Sequence, residues 1–197
     1  MAHKECFEFV AHCQKLFPQH FNGKTVLEVG SLYINGSVRG FFTDCEYIGV
    51  DIGEGPGVDM VVPPDNLFFE SRSFDTIIST EMFEHNPHWQ KTFADMCRIL
   101  KPGGMMLFTC ATTGRPEHGT IDHLPAASPL TVAKKEYANY YKNLEADEFL
   151  FACNVHGIFS PYTFLTNQSS ADLYFLGFKN PYHPLPDHYY QSKREKA

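Results

Sequence analysis

The stretch that most constrains the fold lies at residues 25–51, where two apolar runs flank a glycine-bounded turn. The first run, residues 26–29, stops at Gly30, and the second, residues 47–50, ends in Asp51. A short amphipathic piece lies between them. This order predicts strand, turn, helix and strand, which is half of a nucleotide-binding α/β unit. The acid at the tip of the second strand can accept hydrogen bonds from both ribose hydroxyls of an adenosine ligand.

The rest of the chain predicts a parallel sheet with helices on both faces. Apolar residues at helical spacing predict a first helix over residues 3–19, ended by Pro18. Asn86 and Pro87 fit the N-cap and first position of another helix, and residues 101–104 form a stop and turn. The remaining predicted elements are strands at 59–62, 74–79 and 105–110, a helix at 136–152, a hairpin at 157–166 and 173–179, and an irregular tail from residue 180.

Bulk composition describes an ordinary globular chain of 197 residues with 43% hydrophobic and 20% charged residues, which predicts one domain. A net charge of −7 argues against nonspecific nucleic-acid binding. No apolar run is long enough to span a bilayer, and the first residues do not form a signal segment, so a cytoplasmic protein without a membrane partner is expected. The six cysteines form no CxxC pair and are expected to be reduced and mostly buried.

The glycine spacing distinguishes between two nucleotide cofactors. A dinucleotide site needs close-approach glycines that let the helix start hold a pyrophosphate, but Leu32 and Ile34 lie between Gly30 and Gly36. Glu28, two residues before the first glycine, suits a cationic amine better than a phosphate. These features favour a nucleoside that carries an amino-acid group over NAD.

Four segments in the same order resemble the class I S-adenosylmethionine-dependent methyltransferases, particularly their small single-domain branch. They are the acid-x-Gly of residues 28–30, Asp51 after the second strand, the fourth-strand region of residues 74–85, and the Leu-Lys-Pro-Gly-Gly turn of residues 100–104. The resemblance covers residues 25–110. It implies an α/β, Rossmann-like three-layer sandwich with a mostly parallel seven-stranded sheet and a C-terminal antiparallel hairpin. One domain over residues 1–197 would contain an N-terminal helix (1–22) and a substrate-side insertion and helix (111–152).

The resemblance also implies S-adenosyl-L-methionine as cofactor and S-adenosyl-L-homocysteine as product. Asp51 would bind the ribose hydroxyls, and Ile52 would pack on the adenine. Glu28 would contact the amino group. The expected cofactor-binding residues are Glu28, Gly30, Ser31, Asp51, Ile52, Thr80 and Glu81.

Acceptor chemistry is expected from histidines and from a polar loop after the fifth strand. His85 and His118 are candidate catalytic bases, because histidine titrates near neutrality. Arg115, Glu117 and His123 form a dense polar set on the carboxyl edge of the sheet and are candidate substrate contacts. No recognisable metal-ligand spacing accompanies His118 and His123, so no metal is predicted.

The sequence therefore predicts an S-adenosylmethionine-dependent methyltransferase that acts on a small-molecule acceptor. Two alternatives remain at this stage. One is a non-catalytic adenosine-cofactor-binding protein on the same fold, since a fold alone does not define a function. The other is an NAD-dependent oxidoreductase, which the glycine spacing disfavours.

Overall fold

A computed structural model describes residues 3–182, and the elements within that range form one α/β unit. The tail predicted from residue 180 falls largely outside the described residues. In chain order the elements are α1 (Lys4–Leu16), β1 (Thr25–Val29), β2 (Glu46–Asp51), β3 (Met60–Val61), β4 (Phe74–Thr80), α2 (Trp89–Ile99), β5 (Leu100–Ala111), α3 (Pro129–Val132), α4 (Ala146–Ala152), α5 (Val155–Ile158), β6 (Phe159–Asn167) and β7 (Asp172–Lys179).

The seven strands form one sheet in the order β3-β2-β1-β4-β5-β7-β6. Five strands run parallel to one another: β3, β2, β1, β4 and β5. Strand β7 pairs antiparallel with both β5 and β6. The predicted fold class is thereby confirmed, including the C-terminal hairpin. Because all five parallel strands end at the same edge, the loops after β1, β2 and β4 converge there.

Strand β5 shows how the sheet separates two cores, because its successive side chains enter opposite faces. Met106 and Phe108 belong to a core that contains residues of α2 and α4. Met105 and Leu107 belong to a second core that contains residues of α1. All four side chains are fully buried. This explains why the strand is apolar throughout, as expected for a sheet covered on both sides.

The connection between β1 and β2 contains less helix than predicted. Between β1 and β2 the chain forms only a 3₁₀ turn, Val38–Phe41, where the sequence predicts a helix. Ser37 caps this turn by accepting a hydrogen bond from the amide of Arg39. Most of the connection is instead the extended loop that follows Gly30. The carboxyl edge next to β1 is therefore built by a loop and not by a helix end.

The start of α2 also differs from the prediction, since the helix begins at Trp89. The Asn86 side-chain oxygen accepts from the His88 amide at 2.9 Å, and its amide group donates to Thr92 Oγ1 at 2.7 Å. Asn86 thus organises the turn before the helix and does not occupy the N-cap.

The predicted helix at residues 136–152 is wrong over its first ten residues. Backbone amides there bond to other segments, because Lys142 N donates to Glu84 O and Leu144 N donates to Ala111 O, both at 2.9 Å. A helix is left only at Ala146–Ala152, where Glu145 and Glu148 form a capping box. Residues 101–104, predicted as a stop and turn after the preceding helix, belong to β5.

No helix within residues 3–182 is long and apolar enough to cross a membrane.

Candidate active site at the carboxyl edge of the sheet

A cleft opens at the carboxyl ends of β1, β2 and β4, with about 800 Å³ of empty space that includes open solvent at its mouth. Its wall contains His85 and residues from the loops after each of these strands. All seven residues expected to bind the cofactor line this one cleft: Glu28, Gly30, Ser31, Asp51, Ile52, Thr80 and Glu81. The sequence therefore identified one contiguous wall from segments that are up to fifty residues apart.

Gly30 brings the backbone of the first turn close to the loop after β4. Its φ of +84° lies in the left-handed region, and a Cβ there would lie 2.7 Å from both Cβ and Cγ of Met82. Only glycine satisfies both conditions without displacement of a neighbour. The Gly30 and Ser31 amides both donate to the Val50 carbonyl, which fixes the turn against β2.

The bulky turn at residues 31–35 is held by Asp51 and by the loop after β2. Leu32 N donates to Asp51 Oδ2 at 3.0 Å, and Ile52 N donates to Asp51 Oδ1 at 2.8 Å. Tyr33 N donates to the Pro56 carbonyl at 2.7 Å. Each carboxylate oxygen of Asp51 retains a further lone pair for a ligand. Burial raises the pKa of Asp51, while these two amide hydrogen bonds oppose the rise.

Glu28 lies at the floor of the cleft and is 4% exposed. The Tyr47 hydroxyl donates to Glu28 Oε2 at 2.8 Å. Burial raises the pKa of Glu28 to about 8, and the hydrogen bond from Tyr47 opposes this shift. A buried carboxyl with a pKa in this range is stabilised in its charged form by a cationic partner.

Glu81 lines the cleft but directs its carboxylate away from the other cofactor residues. Its backbone has a φ of +53°, and Thr109 Oγ1 donates to Glu81 Oε1 at 2.8 Å. His3 and Arg115 each come within 4.0 Å of Glu81 Oε2. Glu81 therefore lines the cleft and also belongs to an ionic cluster with His3 and Arg115.

Arg115 belongs to that ionic cluster. Its guanidinium donates to Asp172 Oδ1 at 2.7 Å and to the Ser170 carbonyl at 2.6 Å. Glu117 and His123 are exposed, and Glu117 accepts a hydrogen bond from Thr120. None of the three predicted substrate residues is among those that line the cleft. Contact of these three residues with substrate stays a prediction, because the contacts of Arg115 and Glu117 given above are with other residues of the chain.

His85 and His118, the two candidate catalytic residues, lie next to each other. Their ring centroids are 5.0 Å apart in an edge-to-face arrangement, and His85 also lines the cleft. Glu84 is fully buried beside them, with Glu84 Oε1 3.9 Å from His85 Nε2. Burial lowers the pKa of His85 well below its ordinary value and raises the pKa of Glu84 to about 8, helped by the nearby charge of Glu81.

Another part of the cleft wall comes from residues 127–137, which lie within the predicted substrate-side insertion (111–152) but were not predicted as site residues. Ser128, Thr131 and Tyr137 line the cleft, and Tyr137 is 5% exposed. The segment approaches the loop after β2 closely, since a Cβ at Gly53 would lie 2.9 Å from Leu130 Cδ2. No local pattern in residues 125–137 predicts this placement, because it depends on contacts with residues some eighty positions earlier in the chain.

The lining fits an adenosine cofactor that carries a cationic amino acid. Asp51 offers oxygen lone pairs at the tip of β2, and Glu28 offers a carboxyl whose charged form a cation would stabilise. The buried Ser31 hydroxyl lines the cleft and has no hydrogen-bond partner among residues 3–182. A side chain at position 30 in place of Gly30 would clash with Met82. These are the groups expected to hold S-adenosylmethionine.

Comparison with known proteins agrees with this assignment. One curated relative is the phthiotriol/phenolphthiotriol dimycocerosates methyltransferase 1 of Mycobacterium ulcerans, 31% identical over 106 residues. The match covers 45% of this chain and 38% of the relative, so the chain spans about two fifths of that protein's length. A second curated relative, from Mycobacterium leprae, is 27% identical over 107 residues, with 45% of this chain and 38% of the relative covered.

Among solved structures, the Haemonchus contortus phosphoethanolamine N-methyltransferase 2 in complex with S-adenosyl-L-methionine superposes with a TM-score of 0.59 at 17% identity. The superposition covers 88% of this chain and 52% of that chain. The Burkholderia thailandensis 1,6-didemethyltoxoflavin-N1-methyltransferase gives a TM-score of 0.58 at 15% identity, with 87% and 76% of the two chains covered. At these identities the likeness concerns the fold.

A family profile described as a methyltransferase domain matches residues 2–136, which is more than half of the chain. This range contains every cofactor residue predicted above, and it favours the methyl-donor interpretation over the dinucleotide alternative. The chain therefore belongs to the methyltransferase-domain family, within the class I S-adenosylmethionine-dependent methyltransferases that its motifs resemble.

Proposed function

We propose that this chain catalyses methyl transfer from S-adenosylmethionine to a small-molecule acceptor. The observation that carries the proposal is the shared cleft, which is lined by all seven residues expected to bind the cofactor. These residues come from the carboxyl ends of three strands and from the loops that follow them. His85 and the segment that contains Thr131 and Tyr137 also line the cleft. The cofactor side and the acceptor side are therefore distinct parts of the same cleft.

On the cofactor side, Asp51 would accept hydrogen bonds from the ribose hydroxyls and Ile52 would cover the adenine. Both residues lie at the tip of β2, and the amides of Leu32 and Ile52 hold the carboxylate in place. Glu28 would receive the cationic amino group. The turn at Gly30 brings backbone groups to the same end of the cleft.

On the acceptor side, the side chains that surround the cleft opening are of modest size and mixed polarity. Ser128, Thr131 and Tyr137 offer hydroxyl groups, while Ala127 and Pro64 offer apolar surface. Such a mixture suits a small organic acceptor held by a few hydrogen bonds. The Mycobacterium relatives are named for methylation of phthiotriol compounds, and a hydroxylated acceptor is consistent with that name.

The cofactor supplies an activated methyl group when it is bound. What the chain must add is alignment, and pre-organised alignment of two reactants is worth roughly 7 kcal/mol or more in favourable cases. The cleft supports such alignment because its wall is fixed by backbone hydrogen bonds at Gly30, Ser31 and Leu32. His85 lines the cleft on the acceptor side, and His118 packs against it.

The test is calorimetric titration of the chain with S-adenosylhomocysteine and, separately, with NADH. Binding of S-adenosylhomocysteine and absence of heat with NADH are expected. In Asp51→Ala, loss of two charge-assisted hydrogen bonds should weaken S-adenosylhomocysteine binding roughly 100-fold.

Glu46→Ala is the matched control, because Glu46 is an exposed acid on the same strand. Its affinity should equal that of the unmodified chain. Heat with NADH alone would overturn the proposal, and unchanged affinity in Asp51→Ala would refute the ribose role. Binding without turnover on any hydroxylated or amine-bearing acceptor would favour a non-catalytic cofactor-binding protein.

A further inference from the structure

Glu84, His85 and His118 form a compact group of potential metal ligands, and His85 is the member that lines the cleft. One donor atom from each lies within 4.8 Å of the other two, and all three side chains are buried. Glu84 and His85 come from the 3₁₀ turn after β4, whereas His118 comes from the loop after β5. The group is defined here as the Glu84–His85–His118 triad.

Five side-chain polar atoms of the triad are buried and have no hydrogen-bond partner within the described part of the chain. These atoms are both carboxylate oxygens of Glu84, both ring nitrogens of His85 and Nε2 of His118. Buried polar atoms are paired in the large majority of native structures, so five such atoms in one place require an explanation. Two further orphaned groups, the hydroxyl of Tyr141 and Oδ1 of Asn143, lie in the segment that packs beside them.

The orientation of His118 is suited to metal binding. Its Nδ1 lies 3.0 Å from the Pro116 carbonyl, which can only accept a hydrogen bond. Nδ1 therefore carries the proton and Nε2 presents a lone pair to the triad. A backbone carbonyl that fixes the tautomer through the second ring nitrogen is the usual support of a metal-bound histidine.

Close packing brings the two histidines together from different loops. A Cβ at Gly119 would lie 2.6 Å from Cε1 of His85 and 3.1 Å from its Nδ1. Gly119 has a φ of +67°, so a glycine is favoured there on both counts. The Tyr141 ring packs 5.0 Å from the His118 ring and 5.7 Å from the His85 ring, measured between centroids. The Tyr141 ring thus packs against both histidines of the triad.

A second group of potential ligands, His3, Cys6 and Glu81, provides a contrast. There the groups already have partners, since His3 bonds to Asp172, and Thr109 donates to Glu81. Asp172 also accepts from Arg115. That group is accounted for as an internal ionic cluster, whereas no equivalent partners surround the triad in residues 3–182.

We propose that Glu84, His85 and His118 bind one divalent first-row transition-metal cation. One carboxylate and two imidazoles are the ligands of His₂Glu zinc sites and of two-histidine, one-carboxylate iron sites, and they suit Mg²⁺ and Ca²⁺ less well. Donor atoms at about 2.1 Å from a tetrahedral ion lie about 3.4 Å apart. The donor atoms of the triad already lie within 4.8 Å of one another, so each pair closes by at most about 1.4 Å on binding. The sequence predicted no metal because His118 lies 33 positions after His85.

The position of the triad suggests what the ion would do. Three protein ligands leave coordination positions open, and His85 is the ligand that lines the cleft. A bound oxygen of the acceptor would fill an open position, which orients it and favours a hydroxylated acceptor class. This consequence rests on the proposed function, while metal binding itself does not.

The experiment uses the untagged full chain, freed of metal with a chelator and titrated with Co²⁺ and then with Zn²⁺ as competitor. One Co²⁺ per chain is expected, with visible d–d absorption, no thiolate charge-transfer band, and displacement by Zn²⁺. Binding should also raise the melting temperature, because the ion binds only the folded chain. In Glu84→Gln and His118→Asn we expect at least 10-fold weaker Co²⁺ binding.

His12→Asn is the matched control, since His12 is exposed on α1, and it should bind Co²⁺ with unchanged affinity. No stoichiometric binding, a thiolate band, or unchanged affinity in both triad variants would overturn the proposal. The Co²⁺ spectrum of the unmodified chain decides the case if a variant fails to fold. Titration of the metal-free chain with S-adenosylhomocysteine separates the two proposals, because cofactor binding depends on Asp51 and not on the triad.

Discussion

The Tyr47 hydroxyl donates a 2.8 Å hydrogen bond to Glu28 Oε2 between neighbouring parallel strands. Val26 pairs with Tyr47 in register, so Glu28, two residues further along β1, faces the same side of the sheet. The pair closes the floor of the cleft beneath the turn at Gly30. A titratable group is thus buried where the cationic end of the cofactor is expected.

Glu28 should make the stability of the ligand-free chain depend on pH. Its folded pKa of about 8 lies above the ordinary value of 4.5 because of burial. A raised pKa means that stabilisation by the neutral carboxyl is fully present below about pH 4.5 and is lost as the pH rises through about 8. In Glu28→Gln this loss is absent. The variant should therefore gain stability relative to the unmodified chain between pH 5 and pH 9, by up to about 5 kcal/mol.

Urea unfolding of both proteins across this pH range measures the difference. Glu46→Gln, an exposed site on β2, serves as control and should follow the unmodified chain at every pH. A constant difference between Glu28→Gln and the unmodified chain from pH 5 to pH 9 would show that Glu28 is not buried in its neutral form.

Cofactor binding should release a proton from Glu28. With a pKa of about 8 the carboxyl is mostly protonated at pH 7, and a cationic amino group beside it favours the ionised form. S-adenosylhomocysteine carries that amino group and can serve as the ligand. Its binding enthalpy at pH 7 should vary with the ionisation enthalpy of the buffer, with a slope that approaches about one proton released.

The same titrations with Glu28→Gln provide the comparison. The slope in that variant should fall close to zero, and the slope of the unmodified chain should also fall at pH 9.5, where Glu28 is already ionised. Equal slopes in both proteins at pH 7 would place the amino group away from Glu28.

The residues predicted to bind the cofactor line one cleft because each of them follows a local sequence pattern. Gly30 directly follows β1 and Asp51 is the last residue of β2, and parallel strands bring their carboxyl ends to one edge. The acceptor side could not be predicted in this way. Tyr137 reaches the cleft only because residues 133–145 are not helical, and tertiary hydrogen bonds from Lys142 and Leu144 override the local helix preference.

The function of a polar residue was equally difficult to infer from its neighbours in sequence. Arg115 lies on the predicted edge, yet its guanidinium is bound by Asp172, 57 positions later in the chain. The triad has the same long-range character, since His118 joins Glu84 and His85 through the packing of Gly119. The density of polar residues in the loop predicted substrate contacts at Arg115, Glu117 and His123, but none of these residues lines the cleft.

Gly30→Ala should lose more stability than Gly23→Ala, although both glycines have a positive φ. Gly30 has a φ of +84° and Gly23 a φ of +63°. A left-handed alanine costs about 1–2 kcal/mol at either position. At Gly23 a Cβ would meet nothing within 4 Å, whereas at Gly30 it would lie 2.7 Å from the Met82 Cβ. The clash should cost roughly 1–3 kcal/mol more.

Urea unfolding measures the stability of each variant, and calorimetry with S-adenosylhomocysteine measures its binding. Gly30→Ala should also weaken binding because the turn must shift away from Met82, while Gly23→Ala should bind normally. Equal losses of stability in the two variants would indicate that the loop after β4 moves freely and that Gly30 is not a close-approach position.

The His3–Asp172 pair should stabilise the chain most between about pH 4 and pH 6.5. His3 Nε2 lies 2.8 Å from Asp172 Oδ2, and Asp172 is fully buried. Burial opposes charge on both groups, but their mutual hydrogen bond raises the pKa of His3 and lowers that of Asp172. The contribution of His3 is present below its ordinary pKa of 6.5 and is lost as the pH rises through the raised value. That of Asp172 is present above 3.8 and is lost as the pH falls through the lowered value.

His3→Asn should therefore be destabilised by roughly 1–3 kcal/mol near pH 5.5, with a smaller deficit at pH 9. Thermal unfolding at the two pH values measures this, with His12→Asn on the exposed face of α1 as control. Since the pair joins the start of α1 to β7 and to Arg115, the deficit reports whether the ionic cluster holds the loop after β5 in place. An equal deficit at both pH values would mean that His3 acts through packing alone, and that the position of this loop does not depend on its charge.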